Sequence, residues 1–160
     1  MRSAASFVFC LIFLCFSSPS HAKNVNHPSW GASVAAVLAQ RCPASFTGES
    51  SKSLLFSVPV YVLHTKETVN GHSCSVLYSF FEGKLLEYMV FFHGEKESLY
   101  REIRTLLLKK HRYYEGPYFT GMEDVFISKD DSTLYLLLSG RETMLYVLDA
   151  GAYDSFKNNP

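Results

Sequence analysis

The chain has 160 residues and carries 15 Lys plus Arg against 15 Asp plus Glu, so its formal charge is zero. A neutral chain without a long block of like charge has no electrostatic reason to seek DNA, RNA or an anionic membrane. Apolar residues make up 48 % and aromatics 15 %, enough to pack the core of one domain.

Residues 1–22 open with Arg2, continue through an apolar run from Ala4 to Phe16, and end at Ser17-Ser18-Pro19-Ser20-His21-Ala22. That order predicts an export signal cleaved after Ala22. The run is about 13 residues long, short of the roughly 20 that span a bilayer, so no stable membrane insertion is expected after cleavage. Phe9 before Cys10 and Leu14 before Cys15 do not suit lipid attachment. The expected product is one periplasmic or secreted domain, residues 23–160. Cleavage leaves Cys42 and Cys74, and an oxidising compartment favours their pairing as a disulfide. Its loop of about 33 residues would contribute on the order of 3 to 4 kcal/mol.

Residues 23–29 read as a loose start. Ser33 as a cap, with Val34, Val37 and Leu38 at helical spacing, predicts a short helix to about Cys42 that Pro43 ends. Thr47 to Ser53 reads as a polar loop. Strands are then expected at Leu54–His64, Ser73–Glu82 and Leu85–His93, joined at Asn70-Gly71 and Glu82-Gly83-Lys84. A helix from Glu95 to about His111 places Leu99, Ile103, Leu106 and Leu107 on one face. Its basic end, Lys109-Lys110-His111-Arg112, suits the negative end of a helix dipole. A Tyr-rich loop broken at Gly116-Pro117 leads to strands at Asp124–Ser128, Thr133–Ser139 and Thr143–Asp149.

The expected class is α+β: two α-β-β-β units, about 29–93 and 94–150, with antiparallel sheet covered by two helices. An offset of 57 aligns Ser75-Val76-Leu77-Tyr78 with Ser132-Thr133-Leu134-Tyr135, and Val90 with Val147, which suggests an internal repeat. Trp30-Gly31-Ala32-Ser33 with its Val-bearing helix, the turn Gly83-Lys84-Leu85, and a helix ending in basic residues before a Tyr-bearing loop resemble a group of small exported bacterial domains, many without an assigned activity. The tandem helix-plus-sheet order is similar to the β-lactamase inhibitor protein family, in which each repeat carries a disulfide. Only Cys42 and Cys74 are available for one here.

No phosphate loop, H-E-x-x-H or G-x-S-x-G motif occurs, so no catalytic residue and no cofactor is expected. Glu123-Asp124 and Asp130-Asp131 read as solvated turn carboxylates. If strands run up, down and up, His64, His72 and His93 share one sheet edge, a candidate zinc or copper site. The strands are apolar on both faces: Leu85, Met89 and Phe91 oppose Leu86, Tyr88, Val90 and Phe92. A second face of this kind needs a cover. The chain itself comes first, then a protein partner or a second copy, then a small apolar ligand. Tyr113, Tyr114, Tyr118 and Phe119 form a candidate interaction surface, or a lid on the core. The functional expectation is an exported, non-catalytic binding or protein-interaction module. Alternatives are a metal-binding protein or enzyme using the histidine edge, and an inhibitor or envelope-assembly factor.

Overall fold

The computed structural model describes residues 28–158, apart from positions 44, 54, 95, 117, 118, 120, 121 and 123. The expected export signal with Cys10 and Cys15, and Tyr118 of the aromatic loop, lie outside the described residues. Within them the fold is α+β: three helices and one eight-stranded antiparallel sheet. The order is α1 (Val34–Arg41), β1 (Ser45–Lys52), β2 (Pro59–Val69), β3 (His72–Phe81), β4 (Lys84–Phe92) and α2 (Lys96–Lys110). Then follow β5 (Arg112–Tyr113), β6 (Val125–Ile127), β7 (Thr133–Ser139), β8 (Thr143–Asp149) and α3 (Ala150–Asn158).

Local chemistry sets most boundaries. Asn70 and Gly71 both take positive φ, 50° and 84°, as do Glu82 and Gly83, 49° and 76°. Two such residues in a row make the tight hairpin turn whose twist matches the strands it joins. Ser33 caps α1 by accepting a hydrogen bond from the Ala36 N–H at 3.3 Å. Asp149 does the same for α3, accepting from Gly151 N at 2.9 Å and Ala152 N at 3.2 Å.

Across the sheet the strands run β1-β2-β3-β4-β8-β7-β6-β5. The expected three strands per half become four, and the expected two helices become three. Residues 45–52 form an edge strand in place of the polar loop. The second strand starts and ends five residues later than its apolar pattern suggests, because Thr65 and Glu67 are polar yet take part in the ladder with β3.

Register sorts the side chains. One face carries Leu63, Tyr78, Tyr88, Val147, Tyr135 and Phe126, each opposite the next along the sheet. They share a core with Val37 of α1 and with Leu99, Ile103 and Leu107 of α2. The other face carries Val125, Ile127, Leu134, Leu136, Tyr146 and Leu148, which pack with Ala150 and Tyr153 of α3 and with Phe56, Tyr114 and Phe119 from two loops. Over these strands the chain covers its own second apolar face.

Candidate functional site

Each of the first two helices is tied to its own part of the sheet by a carboxylate. Arg41, at the end of α1, donates to Glu67 Oε2 of β2 through Nε at 2.8 Å and Nη2 at 2.6 Å. Glu67 Oε1 accepts from Thr65 at 2.7 Å and Tyr78 at 2.8 Å. On α2, Arg104 donates to Asp124 Oδ1 at 2.8 Å, and the Tyr100 hydroxyl donates to the same carboxylate. Asp124 immediately precedes β6. So α1 is held over β2 and β3, and α2 over the half of the sheet that holds β5, β7 and β8.

Eight strands at about 4.8 Å spacing span roughly 34 Å, whereas two helices of about 10 to 12 Å diameter cover no more than about 24 Å. The space left between them includes part of the sheet over β4 and Leu145 of β8. A cavity of about 480 Å³ lies there. Its floor is Tyr88, Val90 and Phe92 of β4, Leu145 of β8 and Tyr135 of β7, and Ile103, Leu106 and Leu107 of α2 form a wall. Leu145, on a central strand, is only half-buried because the space above it is open.

The segment before α1 shapes one end. Gly31, at φ 76°, lets the chain turn so that its N–H donates to the Leu85 carbonyl at 3.1 Å while Leu85 N–H donates to the Ala32 carbonyl at 2.9 Å. Trp30 then packs near Tyr88, ring centres 6.0 Å apart, and its Nε1–H donates to Thr133 Oγ1 at 2.9 Å. The Trp-Gly-x-Ser stretch is thus the device that docks the chain start against both halves of the sheet, leaving Ser29 on the cavity rim.

The remaining rim is polar: Asn70, Lys110, His111, Ser128 and Asp130. His111 stacks on Tyr135 with ring centres 4.3 Å apart. Asp130 Oδ1 accepts from Ser128 Oγ, and from Ser132 N at 3.2 Å and Oγ at 2.9 Å. These hydrogen bonds hold its carboxyl down at about 2. Lys110 is exposed and forms no ion pair among the described residues. Chemically, the cavity offers apolar and aromatic contact area with a charged edge.

The residues singled out from sequence lie elsewhere. His64 is in the middle of β2, opposite Leu77, whereas His72 begins β3 opposite Val69. Five residues at about 3.3 Å each therefore separate them by some ~16 Å along the ladder. Each imidazole has its own partner: His64 Nε2 meets Glu49 at 3.0 Å, His72 Nε2 meets Glu102 at 3.1 Å, and His93 Nε2 meets Ser75 at 3.0 Å. No metal-ligating trio occurs among the described residues. The later end of β2 is what splits the expected edge.

Cys42 and Cys74 are both thiols, so the expected disulfide is absent from this structure. Cys42, in the left-handed C-cap position of α1, donates to the Ala39 carbonyl at 3.3 Å. Cys74 is buried in β3 and donates to the Glu67 carbonyl at 3.5 Å, and burial pushes its thiol up to about 11. Each sulfur is thus turned to a local carbonyl. In the aromatic loop, Tyr113 stacks on Phe126 at 5.0 Å and Phe119 on Tyr153 at 5.1 Å, and Tyr114 and Phe119 pack on the second core. Tyr114 and Phe119 thus cover the fold's own flank, whereas Tyr113 stays exposed.

Two features had no expectation attached. One is the cavity. The other is Glu87, only 1 % exposed, whose carboxyl is raised by burial against the lowering effect of hydrogen bonds from Tyr146, Ser53 and Ser79. A carboxylate flanked by Leu85, Leu86, Tyr88 and Met89 was visible in the sequence as a charge inside an apolar strand. No family model, no curated protein and no solved structure matches this chain.

Proposed function

We propose that the protein is an exported, non-catalytic binding module, periplasmic or secreted, and that its ligand lies in the cavity over the β4–β8 junction. One observation carries this reading: at the centre of the sheet, where packing should be densest, about 480 Å³ is left open above an aromatic floor. Ligand sites commonly enclose about 300 to 1,000 Å³, mostly apolar with a few polar groups. The leader pattern of residues 1–22 supports export.

The test uses N-phenylnaphthylamine, an uncharged dye that brightens in apolar surroundings. Saturable brightening is expected with the mature protein. Leu145→Trp from the floor and Leu106→Trp from the wall should each abolish it while leaving the circular dichroism spectrum unchanged. No saturable signal, or undiminished binding by both folded variants, overturns the reading.

A protein-docking role is favoured by a different observation. Leu77, Met89, Phe91, Met144 and Leu138 lie on the second face and are only half-buried. Light scattering and dye binding by the cavity-filled variants test this face separately: a monomer with no residual dye signal counts against it.

A further inference from the structure

The geometry points to a single-chain amphiphile with a carboxylate head as the ligand of the β4–β8 cavity, its apolar body on the floor and its head at Lys110. This inference rests on the cavity being a binding site and adds the ligand's chemical class. Three observations select it.

The first is shape. Floor and wall come from Val90, Phe92, Leu145, Leu106 and the rings of Tyr88 and Tyr135, which offer mainly dispersion contacts, the two phenol hydroxyls being their polar side-chain groups. A ligand in this space gains from apolar area, about 25 cal/mol per Å² removed from water, so its body must be hydrocarbon or aryl.

The second is charge at the rim. The charged lining residues are Lys110 and Asp130, with His111 beside them. They differ in how far they are already engaged. Asp130 Oδ1 accepts three hydrogen bonds from Ser128 and Ser132, which makes this carboxylate the knot of its own turn. Lys110 makes no ion pair among the described residues and keeps three donors for a ligand. A carboxylate head therefore gains at Lys110 a cation with no ion-pair partner among the described residues, whereas an ammonium head would share with the turn a carboxylate whose Oδ1 is already taken up by Ser128 and Ser132.

The third is the opposite end. Val69 and Asn70, at the β2–β3 turn, line the cavity as well, so the space extends from the α2 side towards a second, uncharged margin. One charged end and one neutral end suit a molecule with one charged end.

The experiment compares decanoate, decanol and decylamine, each below its micelle concentration, by displacement of N-phenylnaphthylamine from the mature protein at pH 7.5. Decanoate is expected to displace the dye at about one-fifth the concentration of decanol, the scale of one partly exposed charge-assisted hydrogen bond. Lys110→Gln should remove that preference and leave decanol unchanged, and Lys110→Glu should put decylamine ahead of decanoate. Lys110 is exposed on the last turn of α2, so neither change threatens the fold. Equal displacement by decanoate and decanol, stronger displacement by decylamine in the wild-type protein, or a decanoate preference that survives Lys110→Glu overturns the inference while the dye signal leaves the cavity reading standing. Absence of any dye signal overturns both.

Discussion

Replacing Glu67 by leucine removes one acceptor from four donors: Arg41 Nε and Nη2, the Thr65 hydroxyl and the Tyr78 hydroxyl. The side chains of Arg41 and Glu67 are 16 % and 4 % exposed, so the guanidinium would be left largely out of water without its counter-charge. Breaking one side of a buried pair typically costs about 3 to 5 kcal/mol. The stranded Tyr78 hydroxyl, in a residue 1 % exposed, places this case towards the upper end, about 4 kcal/mol. With an m-value of about 2 kcal/mol/M in urea, the unfolding midpoint should fall by about 2 M. Arg41→Leu should cost less, about 3 kcal/mol, because Thr65 and Tyr78 still satisfy Glu67. The double variant should be less destabilised than the sum of the two by about 2 to 3 kcal/mol, since removing both charges leaves no uncompensated ion. Urea unfolding of the four proteins, followed by tyrosine fluorescence, measures the cycle. Strict additivity would show that Arg41 and Glu67 do not act as one unit, and the account of how α1 is held would fail.

Glu87 gives a pH signature. Its folded-state carboxyl lies above the ordinary 4.5, so the native protein holds that proton more tightly than the unfolded chain. The associated stability is complete below about pH 4.5 and is lost as pH rises through the folded value. Glu87→Gln should flatten that decline, so its advantage over wild type should grow with pH in urea midpoints measured from pH 4 to 8; parallel profiles would refute this. For the thiols, iodoacetamide at pH 8 should modify exposed Cys42 quickly and buried Cys74 only on unfolding, because a thiol near 11 is almost wholly protonated there. Equal rates, or protection of both in protein prepared without reductant, would contradict the arrangement. Asp149→Ala should cost about 1 kcal/mol and speed hydrogen exchange in α3 without changing β3 or β4; unchanged α3 exchange would remove the cap from the account.

Where local chemistry decides an element, the sequence was readable. Asn70-Gly71 and Glu82-Gly83 mark β3 and β4 within a residue or two, β7 and β8 lie where their apolar runs place them, and α2 follows Leu99, Ile103 and Leu107. Where tertiary context decides, it was not. All eight residues of β1 are exposed, so no alternation announces a strand that exists because β2 offers it a ladder. Thr65 and Glu67 look like the end of a strand until α1 brings Arg41 down to them. Helix α3 has Gly151 in its first turn and only Tyr153 and Phe156 as large apolar residues, yet Asp149 stood where a cap should. The cavity was out of reach for a stronger reason. Its floor joins residues near 90 to residues near 145, and no pattern along the chain says that β4 and β8 are neighbours.

That one pairing also dictates when the molecule becomes itself. Every other neighbouring pair of strands in the sheet is close in sequence, mostly joined by short turns, and can form as soon as its residues are available. The β4–β8 ladder must wait for residues 143–148, each more than fifty residues beyond the β4 partner it meets. A chain stopped short of β8 would present β4 as an open edge, rich in Leu, Tyr, Met and Phe, the kind of margin that recruits a neighbour. The seam that shapes the cavity is thus also the last stitch, and until it closes the hazard is aggregation; only afterwards is there anything for a ligand to enter.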